Sequence, residues 1–185
     1  NLEMTYAIAK GLNKAKLPGY IQISSNNLRL SDPEAIVYLT KKALADNDVP
    51  IGLHLDHGKS YEDVKACVNA GFTSIMIDAS HLPFEENVEK TKELVAICNE
   101  KGMSLEAEVG SIGGEEDGVV GMGECADPQE CKAIADLGVT MLAAGIGNIH
   151  GKYPANWKGL DFDALAKTKE LIGNLPLVQS ACCLL

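Results

Sequence analysis

The run His54-Leu55-Asp56-His57-Gly58 brings two imidazoles and a carboxylate into one short stretch. A neutral imidazole is a common zinc ligand, and a neighbouring carboxylate can move protons or orient the site. His57 is therefore a candidate metal ligand and Asp56 a candidate acid/base; the competing reading pairs His54 with Asp56 in the interior. Gly145-Ile146-Gly147-Asn148-Ile149-His150-Gly151 supplies another histidine, flanked by glycines that let backbone approach a ligand closely. Its competitor is an ordinary strand-to-helix turn with His150 exposed. Neither stretch has the HExxH spacing of a helical zinc site, so a metal would have to be gathered from distant parts of the chain.

A third constellation is Glu106-Ala107-Glu108-Val109-Gly110, followed by Gly113-Gly114-Glu115-Glu116-Asp117-Gly118. Paired carboxylates can supply a metal ligand and a mobile general acid/base. The glycine-flanked acidic loop is long and polar, as a lid over a site would be, although a solvated turn suits Glu115 and Asp117 better. His81 reads as structural or as support to a ligand, and Tyr153 and Trp157 as packing residues. No lysine stands among these polar strand ends, which disfavours a Schiff-base mechanism.

The elements that must carry these groups alternate along the chain. Aliphatic or β-branched runs occur at Tyr20–Ser24, Ile51–Asp56, Ser74–Ala79, Ser104–Val109, Thr140–Gly147 and Leu175–Val178. Helix signals stand between them: Asp32-Pro33-Glu34 and Asp127-Pro128 offer a cap with proline at the first helical position, and Ser60 with Asp63 forms a capping-box variant. Phe84, Val88, Thr91, Val95 and Cys98 recur at helical spacing. Repeated βα units imply parallel strands under helices.

Alternate strand residues share a face, which groups His54 with Asp56, Met76 with Asp78 and Ser80, and Glu106 with Glu108. A barrel collects such charges at its mouth, whereas an open doubly wound sheet would bury them under apolar helices. The expectation is therefore an α/β chain of the (β/α)8 TIM barrel class. Six strand runs are fewer than eight, so the barrel is expected to lack its first and last units, leaving edges for something else to cover.

Composition bounds the partners. The chain has 185 residues, fits one domain over 1–185, and has mean hydropathy near zero. Sixteen Lys+Arg against 26 Asp+Glu give a formal charge of -10, which argues against nucleic acid or an anionic membrane as the main partner. No apolar run reaches the roughly 20 residues of a membrane helix, and a protein without a secretory leader is expected. The six cysteines contain no CxxC, so reduced thiols in a cytoplasmic protein are expected.

Four motifs in order resemble the class II, zinc-dependent fructose/tagatose-bisphosphate aldolases. They are HLDHG at 54–58, GFTSIMIDASHLPFEEN at 71–87, EAEVGSIGGEEDG at 106–118 and GNIHGKYP at 147–154. The resemblance runs from about Asn1 to Val178 and implies the same barrel. It implies that His57 and His150 bind a catalytic Zn²⁺, while Asp78 and Glu108 match a second metal position. It gives Asp56 the acid/base role at the second substrate's oxygen and Glu116 the proton exchange at the dihydroxyacetone phosphate carbon. Ser24 matches a substrate-contacting serine, and Gly151 a position that meets substrate phosphate or a monovalent cation.

The implied reaction is reversible cleavage of fructose 1,6-bisphosphate to dihydroxyacetone phosphate and glyceraldehyde 3-phosphate through a metal-stabilised enediolate. Homodimers or larger homo-oligomers are implied as well. The likeness stops abruptly after Val178, where the family continues Leu-His-Gly-Gly-Ser-Gly with a third zinc histidine. Here Gln179-Ser180-Ala181-Cys182-Cys183-Leu184-Leu185 stands instead, with Ser180 in the histidine's place. Tagatose bisphosphate as substrate, a truncated non-catalytic remnant and a different metal-dependent barrel such as a hydrolase remain open alternatives.

Overall fold

The computed structural model describes residues 1–185 except 117, 118, 122, 154 and 180–185, and it describes no side chains between 115 and 122. The chain gathers into two compact units, residues 1–77 with 98–104, and residues 78–97 with 105–185.

The first unit holds α1 (Leu2–Ala15), β1 (Gly19–Ser24), α2 (Pro33–Ala43), β2 (Ile51–Gly58), α3 (Tyr61–Ala70) and β3 (Ser74–Ile77). Its strands run parallel in the order β1-β2-β3. The sequence explains the helix starts. Asp32 accepts a hydrogen bond from the Ala35 amide at 2.7 Å with Pro33 behind it, and Ser60 accepts from the Asp63 amide at 3.0 Å. Gly71 closes α3 in the left-handed conformation. Leu53, Leu55, Val64, Cys67, Ile75 and Ile77 form the core, each burial contributing roughly 1.5–3 kcal/mol for a full aliphatic side chain.

The second unit holds most of α4 (Phe84–Lys101), β4 (Ser104–Val109), α5 (Pro128–Asp136), β7 (Met141–Ala144), α6 (Phe162–Ile172) and β9 (Leu177–Val178). Strands β4, β7 and β9 pair in parallel, in that order. Asp127 caps α5 by accepting from the Gln129 and Glu130 amides, as its place before Pro128 predicts. Every residue of β4 from Leu105 to Val109 is buried, so both faces of that strand are enclosed, the one bearing Glu106 and Glu108 included.

The acidic stretch expected as a loop instead contains strands. Strands β5 (Gly113–Glu116), β6 (Val119–Gly121) and β8 (Ile149–His150) make a small separate sheet, with β5 antiparallel to β6 and parallel to β8. Among the described residues no helix is long and apolar enough to cross a membrane.

Candidate metal and substrate site

In the first unit the polar residues sit where β2 departs from a regular ladder. Leu55 pairs with Ile75 and Gly58 with Ile77, so three steps along β2 match only two along β3. The extra residue makes a bulge at Asp56-His57, a device that bends a strand and re-aims its side chains. His57 is left-handed, with φ 48. A non-glycine residue there costs on the order of 1–3 kcal/mol unless its surroundings hold it, and such outliers cluster at functional sites. The ladder to β1 stays regular as far as Asp56, so the irregularity falls on the β3 side, between Leu55 and Gly58.

Neighbouring groups hold His57 in place. The buried Ser25 hydroxyl donates to the His57 carbonyl at 2.9 Å and accepts from the Lys59 amide at 3.2 Å. Gly58 follows because a Cβ there would stand 2.6 Å from the Met76 carbonyl oxygen. Ser24 lies opposite Asp56 in the β1–β2 register, and its Oγ accepts from Asn27 Nδ2 at 2.9 Å. Asp56 and His57 are both half-buried, reachable without being fully solvated.

His54 has a different environment. It is 2% exposed, shares a 2.7 Å hydrogen bond between Nδ1 and the Ser74 hydroxyl, and packs against the Tyr20 ring with centroids 5.7 Å apart. Burial, and secondly the charge of His57, lower its pKa to about 4, so it stays neutral.

In the second unit Asp78 and Glu108 stand together. Strand β3 ends at Ile77, so Asp78 and Ser80 lie in the turn beyond it. The Ser80 hydroxyl is 2.9 Å from Asp78 Oδ1 and 3.3 Å from Glu108 Oε1, and the two carboxylates offer oxygens within 4.8 Å of each other. Two carboxylates so close, one of them buried, hold their charge only where donors, a proton or a cation offset it. The pair thus has the chemistry of a hard-cation ligand set.

Glu108 is anchored from α4. Asn87 Nδ2 donates to the Glu108 carbonyl at 2.9 Å, and Thr91 Oγ1 donates to Asn87 Oδ1 at 3.2 Å, all of it buried. Thr91 falls in the apolar helical series of the sequence; Asn87, one turn earlier beside Val88, is the polar residue whose place next to that series signals a buried role.

His150 lies on β8, half-buried, with its backbone against Gly114. A Cβ on Gly114, whose φ is +94, would fall 2.0 Å from the His150 carbonyl oxygen. Gly114 thus serves an approach of backbone to backbone. Asn148, buried, accepts from the Ile146 amide at 2.9 Å and shapes the turn leading to His150. Trp157, itself exposed, donates its indole N–H to the Gly147 carbonyl at 2.8 Å, and its ring centroid lies 4.1 Å from that of Tyr153. Gly151, with φ +86, is exposed with open space around it. His81 is exposed. Glu116 stands on β5 opposite Val119, and its side chain is outside the described residues, as are Ser180, Cys182 and Cys183.

A family model for class-II fructose-bisphosphate aldolases matches residues 1–180. The chain belongs to the class-II fructose-bisphosphate aldolase family. Relatives within it include fructose-bisphosphate aldolases of Streptococcus pneumoniae, 46% identical over 181 residues, and Mycoplasma pneumoniae, 49% identical over 184 residues. Each alignment covers 96% of this chain, but the chain spans only 61% and 62% of the relatives' own lengths. Among solved structures it is similar to the YdjI aldolase of Escherichia coli K12, with a TM-score of 0.83, 28% identity, and coverage of 99% of this chain and 64% of that one. A structure from Coccidioides immitis gives a TM-score of 0.80 at 36% identity, covering 97% of this chain and 64% of its own. The α/β fold class expected from the alternating strands and helices is the one these aldolases share, here over about two thirds of its length.

Proposed function

We propose that the chain acts in a ketose-bisphosphate aldolase that reversibly cleaves fructose 1,6-bisphosphate into dihydroxyacetone phosphate and glyceraldehyde 3-phosphate, with zinc as its metal. The observation that carries the reading is the bulge at the end of β2, which presents Asp56 and a left-handed His57 side by side in a chain matched to the aldolase family over residues 1–180.

The donor chemistry fits the metal. His57 and His150 would hold it through imidazole nitrogen, and Asp78 with Glu108 through oxygen at the same or a second position; this N/O set suits zinc. When bound, zinc supplies Lewis acidity toward oxygens on which negative charge develops. The remaining work falls to the chain's own groups. Asp56 holds and returns the proton at the oxygen of the aldehyde product. Glu116 exchanges the proton at the dihydroxyacetone phosphate carbon. Ser24, whose oxygen accepts from Asn27, has its hydroxyl proton to offer a substrate oxygen. Gly151 offers exposed backbone to a phosphate or a monovalent cation.

A homodimer or larger assembly and a cytoplasmic setting complete the proposal; the free thiols of Cys67, Cys98, Cys125 and Cys131 accord with a reducing compartment. The test is zinc stoichiometry by mass spectrometry together with a coupled cleavage assay. Stoichiometric zinc and turnover that falls about 10²–10⁴-fold in Asp56→Ala are expected. A chain that takes up neither zinc nor substrate is a non-catalytic remnant, and faster turnover of tagatose 1,6-bisphosphate reassigns the substrate.

A further inference from the structure

The bulge at Asp56-His57 raises the question of what keeps His57 in a backbone conformation that an L-residue seldom adopts. Gly58 leaves room for the Met76 carbonyl oxygen, and the β1–β2 ladder sets Ser24 opposite Asp56. The Ser25 side chain reaches the His57 peptide directly. Its hydroxyl donates to the His57 carbonyl and accepts from the Lys59 amide, so one oxygen spans the peptide groups on both sides of Gly58. Ser25 is 5% exposed, so water does not readily replace it. A part-buried carbonyl gains from a donor and a nearby amide from an acceptor, and a hydroxyl is a small group that can be both.

We propose that Ser25 is a positioning residue, distinct from the substrate-facing Ser24, which clamps His57 in the left-handed conformation and thereby aims its imidazole as a metal ligand. The metal part of this rests on the proposed aldolase reading; the backbone part does not. The hydroxyl at 25 serves both contacts. Alanine removes both; threonine keeps the oxygen and adds one methyl group.

The experiment uses the full chain, metal-free and zinc-titrated, as the parent, Ser25→Ala and Ser25→Thr. Nuclear magnetic resonance of the metal-free forms reads the intraresidue amide-to-Hα contact of His57, which is short at positive φ, and the exchange protection of the Lys59 amide. The expected result is a strong His57 contact and a protected Lys59 amide in the parent. In Ser25→Ala both are lost and zinc affinity falls at least tenfold, and in Ser25→Thr both return and affinity comes back to within about threefold of the parent.

Retention of the His57 contact in Ser25→Ala overturns the clamp, as does an unprotected Lys59 amide in the parent, a measurement that needs no variant to fold. A changed His57 backbone with unchanged zinc affinity overturns the aiming role. A parent that binds no zinc at all sinks the aldolase reading, while the His57 contact still decides for or against the clamp.

Discussion

His54 Nδ1 and Ser74 Oγ meet at 2.7 Å, joining β2 to β3 through a side-chain hydrogen bond in the core of the first unit. The imidazole is held neutral, with its pKa lowered to about 4 from 6.5. An unfolded chain takes up this proton below pH 6.5 and the folded one does not. The stabilisation is therefore complete above pH 6.5, declines as pH falls, and is exhausted near pH 4. Its size is on the order of 3 kcal/mol. Urea midpoints measured from pH 7 to pH 4 should fall less steeply for His54→Gln than for the parent; identical slopes would refute the assignment.

Gly114 and Gly71 both have positive φ, but only Gly114 faces an obstacle. Gly71→Ala should cost about 1 kcal/mol, from backbone strain alone. Gly114→Ala adds a collision with the His150 carbonyl and should cost about 3 kcal/mol or more; on the proposed ligation of zinc by His150 it should also weaken zinc binding, because β8 must shift. Paired denaturation curves and zinc titrations check the contrast.

The Asn87 amide is the donor that reaches the Glu108 carbonyl. Asn87→Ala should destabilise the chain by about 1–3 kcal/mol, the cost of leaving buried partners unsatisfied. Asn87→Asp should be worse above the carboxylate's pKa, because it sets a negative oxygen against a carbonyl oxygen. Recovery of Asn87→Asp stability on mild acidification, absent in Asn87→Ala, is the distinguishing measurement.

The thiols divide by burial. Desolvation first of all pushes Cys67 up to about 12 and Cys98 and Cys131 up to about 11, while Cys125 is exposed. Thiolate is the reacting form, so Cys125 should label with a maleimide or disulfide reagent at pH 7.5 at least tenfold faster than the other three. Peptide mapping after timed labelling reads this directly.

Much of the scaffold was readable because it is local. Asp32, Ser60 and Asp127 each cap the helix that their sequence context announces, and the strand from Ser104 to Val109 has the expected bounds. The unreadable parts depend on partners far along the chain. Nothing in Leu55-Asp56-His57-Gly58 announces a bulge, since that arises from the mismatch with Ile75–Ile77. Gly113-Gly114 look like loop residues until β8 lies against them. Ser25, Asn87 and Asn148 act on backbone groups, a task that motif chemistry does not advertise.

The three-against-two count between Leu55–Gly58 and Ile75–Ile77 has an evolutionary corollary. Deleting one residue from that stretch would bring β2 and β3 into step, at the cost of a neighbour of the proposed metal-binding imidazole. The surplus residue can therefore serve as a bookmark: where the proposed aldolase activity is given up, nothing in the β2–β3 ladder requires it to be kept.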